Sequence, residues 1–204
     1  DVMNQQRQTI YGLRHKVLEG SDIHEMILNA SEQVGWITFD NYCPEGSNPE
    51  EWDWDGLAQE LKGSLRLDLD VTELVGNPEE AGERLATMLQ EAYQEKERST
   101  VDNASDMRLP EPDPTSLPED FDKESFDKDR AEVSKRMLDA FRMYEQERYL
   151  RTIDVHWKNH LYAMDHLKEG VYLEAYAQKD PKIIYKREGF ELFKQLIDLV
   201  NQSI

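Results

Sequence analysis

Apolar residues recur at three- and four-residue steps along most of this chain, and the positions between them are largely charged or polar. That spacing gathers the apolar set onto one face of a helix. Ile10, Leu13 and Val17, then Ile27, Ala30, Val34 and Ile37, lie close to one stripe, interrupted at Gly20-Ser21-Asp22. Two readings compete there. Either a helix ends at Gly20 and Ser21 or Asp22 caps a second one, or a single helix continues through a glycine that costs about 1 kcal/mol. Residues 78–96 return to helical spacing with Ala81, Leu85, Met88, Leu89 and Ala92. From Ala131 the spacing resumes through Val133, Met137, Phe141 and Tyr144 and runs on through Ile153, Trp157, Leu161, Met164 and Leu167 toward Gly170, a natural place for the helix to weaken or stop. Asp180-Pro181 reads as a new start, because aspartate caps free amides and proline tolerates the first helical position. Phe190, Phe193, Ile197, Val200 and Ile204 then form the expected buried stripe of the last helix.

Three stretches break the helical period. Residues 41–49 are rich in turn formers, and Pro49-Glu50-Glu51 opens a helix with acids at its positive end. Leu65, Leu67, Leu69 and Val71 alternate with charged residues, a period of two; with no partner strand in the chain, a short extended connector is expected. Residues 99–130 hold Pro110, Pro112, Pro114 and Pro118 among many acids, with little apolar content before Phe121 and Phe126. Such a segment buries too little surface to offset its ordering entropy, so a mobile acidic loop is expected.

The run GVYLEAYAQKDPKIIYKREGFELF, residues 170–193, is very similar to the segment of the SecA preprotein translocase motors that forms a two-helix finger. The opening DVMNQQRQTIYGLRHKVLEG resembles the start of that family's long scaffold helix, and EEWDWDGLAQELK resembles the start of its helical wing. The resemblance covers nearly the whole chain apart from residues 99–130. It implies an all-α fold with a long scaffold helix, a small helical wing lobe and an antiparallel two-helix finger. The implied division is scaffold at 1–48, wing at 49–130 with an acidic mobile insertion at about 99–130, and scaffold with finger at 131–204. At Gly20 the resemblance favours continuity, which gives an expected rod of roughly 60 Å at 1.5 Å per residue.

Composition agrees with an extended, multi-lobed chain: of 204 residues only 38% are hydrophobic. No apolar run approaches the roughly 20 residues that span a bilayer. The chain opens without methionine on a residue that reads as helical, which suggests a piece of something longer. Its single cysteine, Cys43, cannot make an intrachain disulfide and reads as a free structural thiol, which fits a reducing compartment or simple indifference to redox state. The net charge of -19 divides as -5 over residues 1–50, -14 over 51–130 and 0 over 131–204. This excludes broad nucleic-acid binding, which needs a basic face. The neutral C-terminal part can approach an anionic membrane or a polypeptide of either sign without a large repulsive penalty.

His156 and His160 stand four residues apart on one helix face, the spacing of zinc hydrolases. The hydrolytic pattern needs a glutamate directly after the first histidine, and that position is Trp157. Histidines packed at a helix interface are the preferred reading, with no metal and no catalytic residue. No phosphate-cradling G-x-x-x-x-G-K-[ST] loop occurs, so no cofactor is expected in this chain. In the resembled family ATP and magnesium sit between nucleotide-binding folds encoded elsewhere in the parent chain.

By the same resemblance, Tyr176 at the finger tip contacts the unfolded preprotein at the cytoplasmic mouth of the SecY channel complex. A tyrosine suits a sequence-indifferent contact, offering an aromatic face together with a hydroxyl. Tyr172, Gln178 and Lys179 share that tip, and Lys179 is placed to meet channel loops or lipid headgroups. Trp157 is expected to anchor the finger to the scaffold. The implied location is the bacterial cytoplasm and the cytoplasmic face of the inner membrane, with peripheral association. A free-standing helical adaptor or chaperone-like module, binding partners through its hairpin tip, is the rival reading.

Overall fold

The computed structural model describes the chain except Asp1, Ser21, Glu45, Leu65, Arg66, residues 68–70, Pro78, Glu79, Pro114 and residues 175–179; of Gly76 and residues 172–174 it describes the helical backbone alone. Among the described residues it is all-helical: α1 (Val2–Glu19), α2 (Ile23–Tyr42), a 3-10 turn (Pro49–Glu51), α3 (Trp54–Gly63), α4 (Thr72–Gly76), α5 (Ala81–Arg108), α6 (Lys123–Glu174) and α7 (Pro181–Ser203). The chain divides into two compact units, one of Asp1–Val34 with Glu145–Ile204 and the other of Gly35–Tyr144.

In the first unit the expected continuity at Gly20 fails. α1 stops at Glu19, and Gly20 takes φ of 71°, a left-handed conformation that ends helices and that glycine adopts without steric cost. The Gln146 side-chain amide closes this end by donating to the carbonyls of Val17 (2.8 Å) and Leu18 (3.0 Å). Two of the last carbonyls of α1 thereby gain partners that the helix itself cannot supply. The local signals at Gly20 outweigh the rod. The buried stripes of this unit are otherwise where the spacing put them, with Ile10 and Val17 on α1, Ile27 and Ala30 on α2, and Ile153 and Met164 on α6; Tyr149, buried beside them, was not on the expected stripe.

Two further corrections concern the helices that follow. Gly170 does not end α6, which continues to Glu174; a glycine inside a helix costs only about 1 kcal/mol, and packing elsewhere on its length exceeds that. Phe190 is 65% exposed, and the inward face of α7 is Gly189, Leu196 and Val200 with Phe193 half-buried beside them. The start of α7 is as expected: Asp180 accepts a hydrogen bond from the Lys182 amide at 2.9 Å and Pro181 occupies the first turn.

The second unit packs α4 on α5 and buries Leu57, Leu61, Leu74, Leu85 and Leu89. Gly35 lets α2 meet α5 backbone to backbone, since a Cβ there would stand 2.7 Å from the Ala86 Cα. The expected acidic loop at 99–130 is reduced to residues 109–122. α5 runs on to Arg108 and α6 begins at Lys123. What holds these ends is polar. Arg130 bonds both the Asp106 carboxylate and the Leu109 carbonyl, and Arg142 reaches Glu97 at 2.7 Å and Tyr93 at 3.2 Å, both pairs joining α5 to α6. The extended connector expected at 65–71 falls largely outside the described residues.

Candidate functional site at the base of the α6–α7 pair

α6 and α7 run antiparallel, because their contacts descend one helix as they climb the other. His156 Nε2 lies 3.0 Å from Ser203 Oγ, the His160 ring meets Phe193 edge-on at 5.7 Å, and a Cβ on Gly189 would touch Met164. α1 packs on the same pair through α7.

The centre of this three-helix contact is polar. Gln6 on α1, 5% exposed, donates from Nε2 to the Gly189 carbonyl at 2.7 Å, and its Oε1 lies 2.9 Å from His160 Nε2. Since the amide nitrogen must donate to the carbonyl, the amide oxygen accepts, and the imidazole carries its proton on Nε2. Gln6 therefore joins all three helices through one side chain. His160 is itself 5% exposed, and burial holds its pKa below 6.5, opposed in part by the Leu192 backbone. The bond to Gln6 needs a proton on Nε2, and it is burial that favours the neutral ring.

Trp157 stacks on His160, with ring centroids 5.4 Å apart and planes 25° from parallel, and shares a shallow pocket with Ile10, Tyr11 and Leu18 of α1. His156 and His160 thus have different side-chain hydrogen-bond partners, Ser203 of α7 and Gln6 of α1. Among the described residues no cluster of His, Cys, Asp or Glu is gathered to hold a metal ion. Above the clasp, a cleft of about 770 Å³ opens between Val2 and Met3 of α1, Val171 of α6 and Tyr185 of α7, rimmed by Lys168, Lys182 and Lys186. Burial and the nearby Asp165 charge push the Tyr185 hydroxyl above its usual pKa. The tip residues Tyr176, Gln178 and Lys179 lie outside the described residues, as does the side chain of Tyr172.

Gln6 and Gly189 were not singled out by sequence reasoning. A signal was present for Gln6, which stands at the start of the 6-10-13-17 stripe. Its polarity hid it from a search for apolar residues.

The family described as the SecA wing and scaffold domain matches residues 1–204, the whole chain. The chain belongs to the SecA wing and scaffold family. Curated relatives agree, each bearing the name protein translocase subunit SecA. The protein of Cupriavidus metallidurans is 35% identical over 205 residues, that of Dechloromonas aromatica 34% over 209 and that of Chromobacterium violaceum 32% over 209. Each alignment takes in all of this chain and 19% of the relative. The SecA wing and scaffold chain thus spans about a fifth of the length of the curated relatives it matches. No helix among its described residues is long and apolar enough to cross a membrane.

Proposed function

We propose that this chain is the wing and scaffold portion of a protein-translocation motor, coupling ATP-driven movement of nucleotide-binding folds elsewhere in the parent chain to a two-helix finger. The finger is α6 from about Trp157 with α7, and it pushes unfolded preprotein through the SecY channel at the cytoplasmic face of the membrane. ATP and magnesium belong to the parent motor, and this portion carries no catalytic residue of its own. Scaffold occupies 1–48 and 131–204, and wing 49–130. Tyr176 makes the main contact with the moving polypeptide, with Tyr172, Gln178 and Lys179 beside it, and Trp157 anchors the finger's base.

The observation that carries this reading is the family match over the whole chain. The Gln6–His160–Gly189 clasp supports it, because a pushing element needs a base that does not slip, and a buried polar network satisfied on three helices resists sliding more specifically than apolar packing does. The test is a titration of this chain into a motor portion that lacks it, following binding and ATP hydrolysis together. Tight binding with altered hydrolysis is the expected result. Absence of binding at micromolar concentrations would favour the autonomous adaptor instead.

A further inference from the structure

Between Lys16 and Lys62 the sequence contains no lysine or arginine, and within that span residues 35–61 carry seven carboxylates. The same short segment supplies a connected set of aromatic rings. Phe39 lies 5.4 Å from Trp52, and Trp52 lies 5.4 Å from Trp54. Trp36 joins through Gly82, where a Cβ would come within 2.4 Å of Trp36 and 3.1 Å of Phe39, so both rings rest on one bare stretch of α5. Phe39 is buried and holds the set in place. Trp52 and Trp54 are half-buried, and Trp36 is 42% exposed.

Around these rings Asp40, Glu50, Glu51, Asp53 and Asp55 are all exposed. Among the described residues none of the five takes part in an ion pair. Arg84, two residues beyond Gly82 on α5, is engaged by Glu73 at 3.4 Å and Glu91 at 3.6 Å. The unit thus presents aromatic faces inside an uncompensated negative field. Such a face repels phosphates, and its carboxylates are not gathered as a cation site requires. What complements it is positive charge on an apolar stem. A guanidinium or ammonium lies favourably over an indole face, its methylenes cover the ring, and exposed carboxylates draw it in from a distance.

We propose that this face of the second unit docks a polypeptide segment bearing arginine or lysine among apolar side chains. This goes beyond the coupling role above and stands on different residues. The test uses the full chain and a fluorescein-labelled peptide of alternating arginine and leucine, with a twin carrying glutamate for arginine, followed by anisotropy. The arginine peptide binds and the glutamate twin does not. Trp36→Ala weakens binding about tenfold or more, while Trp36→Phe keeps it within about threefold. The Glu51→Gln, Asp55→Asn double variant, which touches exposed side chains only, weakens it about tenfold, as does raising the salt to about 0.5 M. Equal affinity for the two peptides, no binding at about 100 μM, or a double variant that binds as well as the parent overturns the proposal. So does self-association that Trp36→Ala abolishes, because the occupant would then be a second copy of the chain.

Discussion

Replacing Gln6 by alanine removes one side chain and two buried hydrogen bonds, to the Gly189 carbonyl at 2.7 Å and from His160 at 2.9 Å. The two losses differ. The carbonyl sits inside α7, where the helix ladder supplies another donor, so its loss costs about 1 kcal/mol. The His160 Nε2–H, in a ring only 5% exposed, is left without an acceptor, which costs about 1–3 kcal/mol. Together these losses should lower stability in Gln6→Ala by about 2–4 kcal/mol. Urea denaturation followed by far-UV circular dichroism measures it. A cycle of Gln6→Leu, His160→Leu and the double variant should return a coupling of about 1 kcal/mol. A loss below about 0.5 kcal/mol, or a cycle that is simply additive, would show that the clasp is a coincidence of packing and refute the account of how the hairpin base is held.

The His160 pKa lies below its unfolded value of 6.5, so the unfolded state binds the proton first as the solution is acidified. This contribution to stability is complete above pH 6.5 and is lost as pH falls from there through the lower folded value; His160→Leu should flatten that part of the pH–stability profile. Cys43, 1% exposed and pushed up to about 11 by burial and then by Asp53 and Asp40, should resist iodoacetamide at neutral pH and react quickly in urea. Gly20→Ala forces an L side chain to a φ of 71° and brings a Cβ within 3.0 Å of Gln146 Nε2, and should cost about 1–2 kcal/mol in the same denaturation assay. Tyr176→Ala in the complete motor should sharply reduce preprotein movement while leaving the melting of this region unchanged; undiminished transport would remove the tip assignment.

The helical class was legible because the stripes at 10-17, 27-34, 81-89 and 153-167 are long and strongly periodic. The break at Gly20 was legible from local chemistry, since glycine takes the left-handed conformation that ends a helix without steric cost, whereas the family resemblance pointed to continuity. The length of α5 was not legible. Residues 99–108 have no apolar stripe, and their helix is held by Arg130 on Asp106, a pairing across a proline-rich loop that no window along the sequence connects. Phe190 shows the opposite failure. Its spacing to Phe193 fits a stripe, but the smallest residue available, Gly189, takes the inward position so that α7 can approach Met164 and present its carbonyl to Gln6. The site was half visible: His160 was noticed for its chemistry, and its partner was passed over because a polar residue on an apolar stripe looks like noise until the neighbouring helix is in place.

The cap at Asp180 has a consequence for how the hairpin can vary. The start of α7 is set by three adjacent residues, through the Asp180 carboxylate, Pro181 and the Lys182 amide, a cap made within its own first turn. The pairing of α7 with its neighbours is fixed separately, by residues from Ile184 and Tyr185 through Gly189 to Val200. Residues inserted or deleted just before Asp180 therefore leave every later contact in phase. Evolution or an engineer can lengthen, shorten or exchange that segment as a cassette without rebuilding the support beneath it.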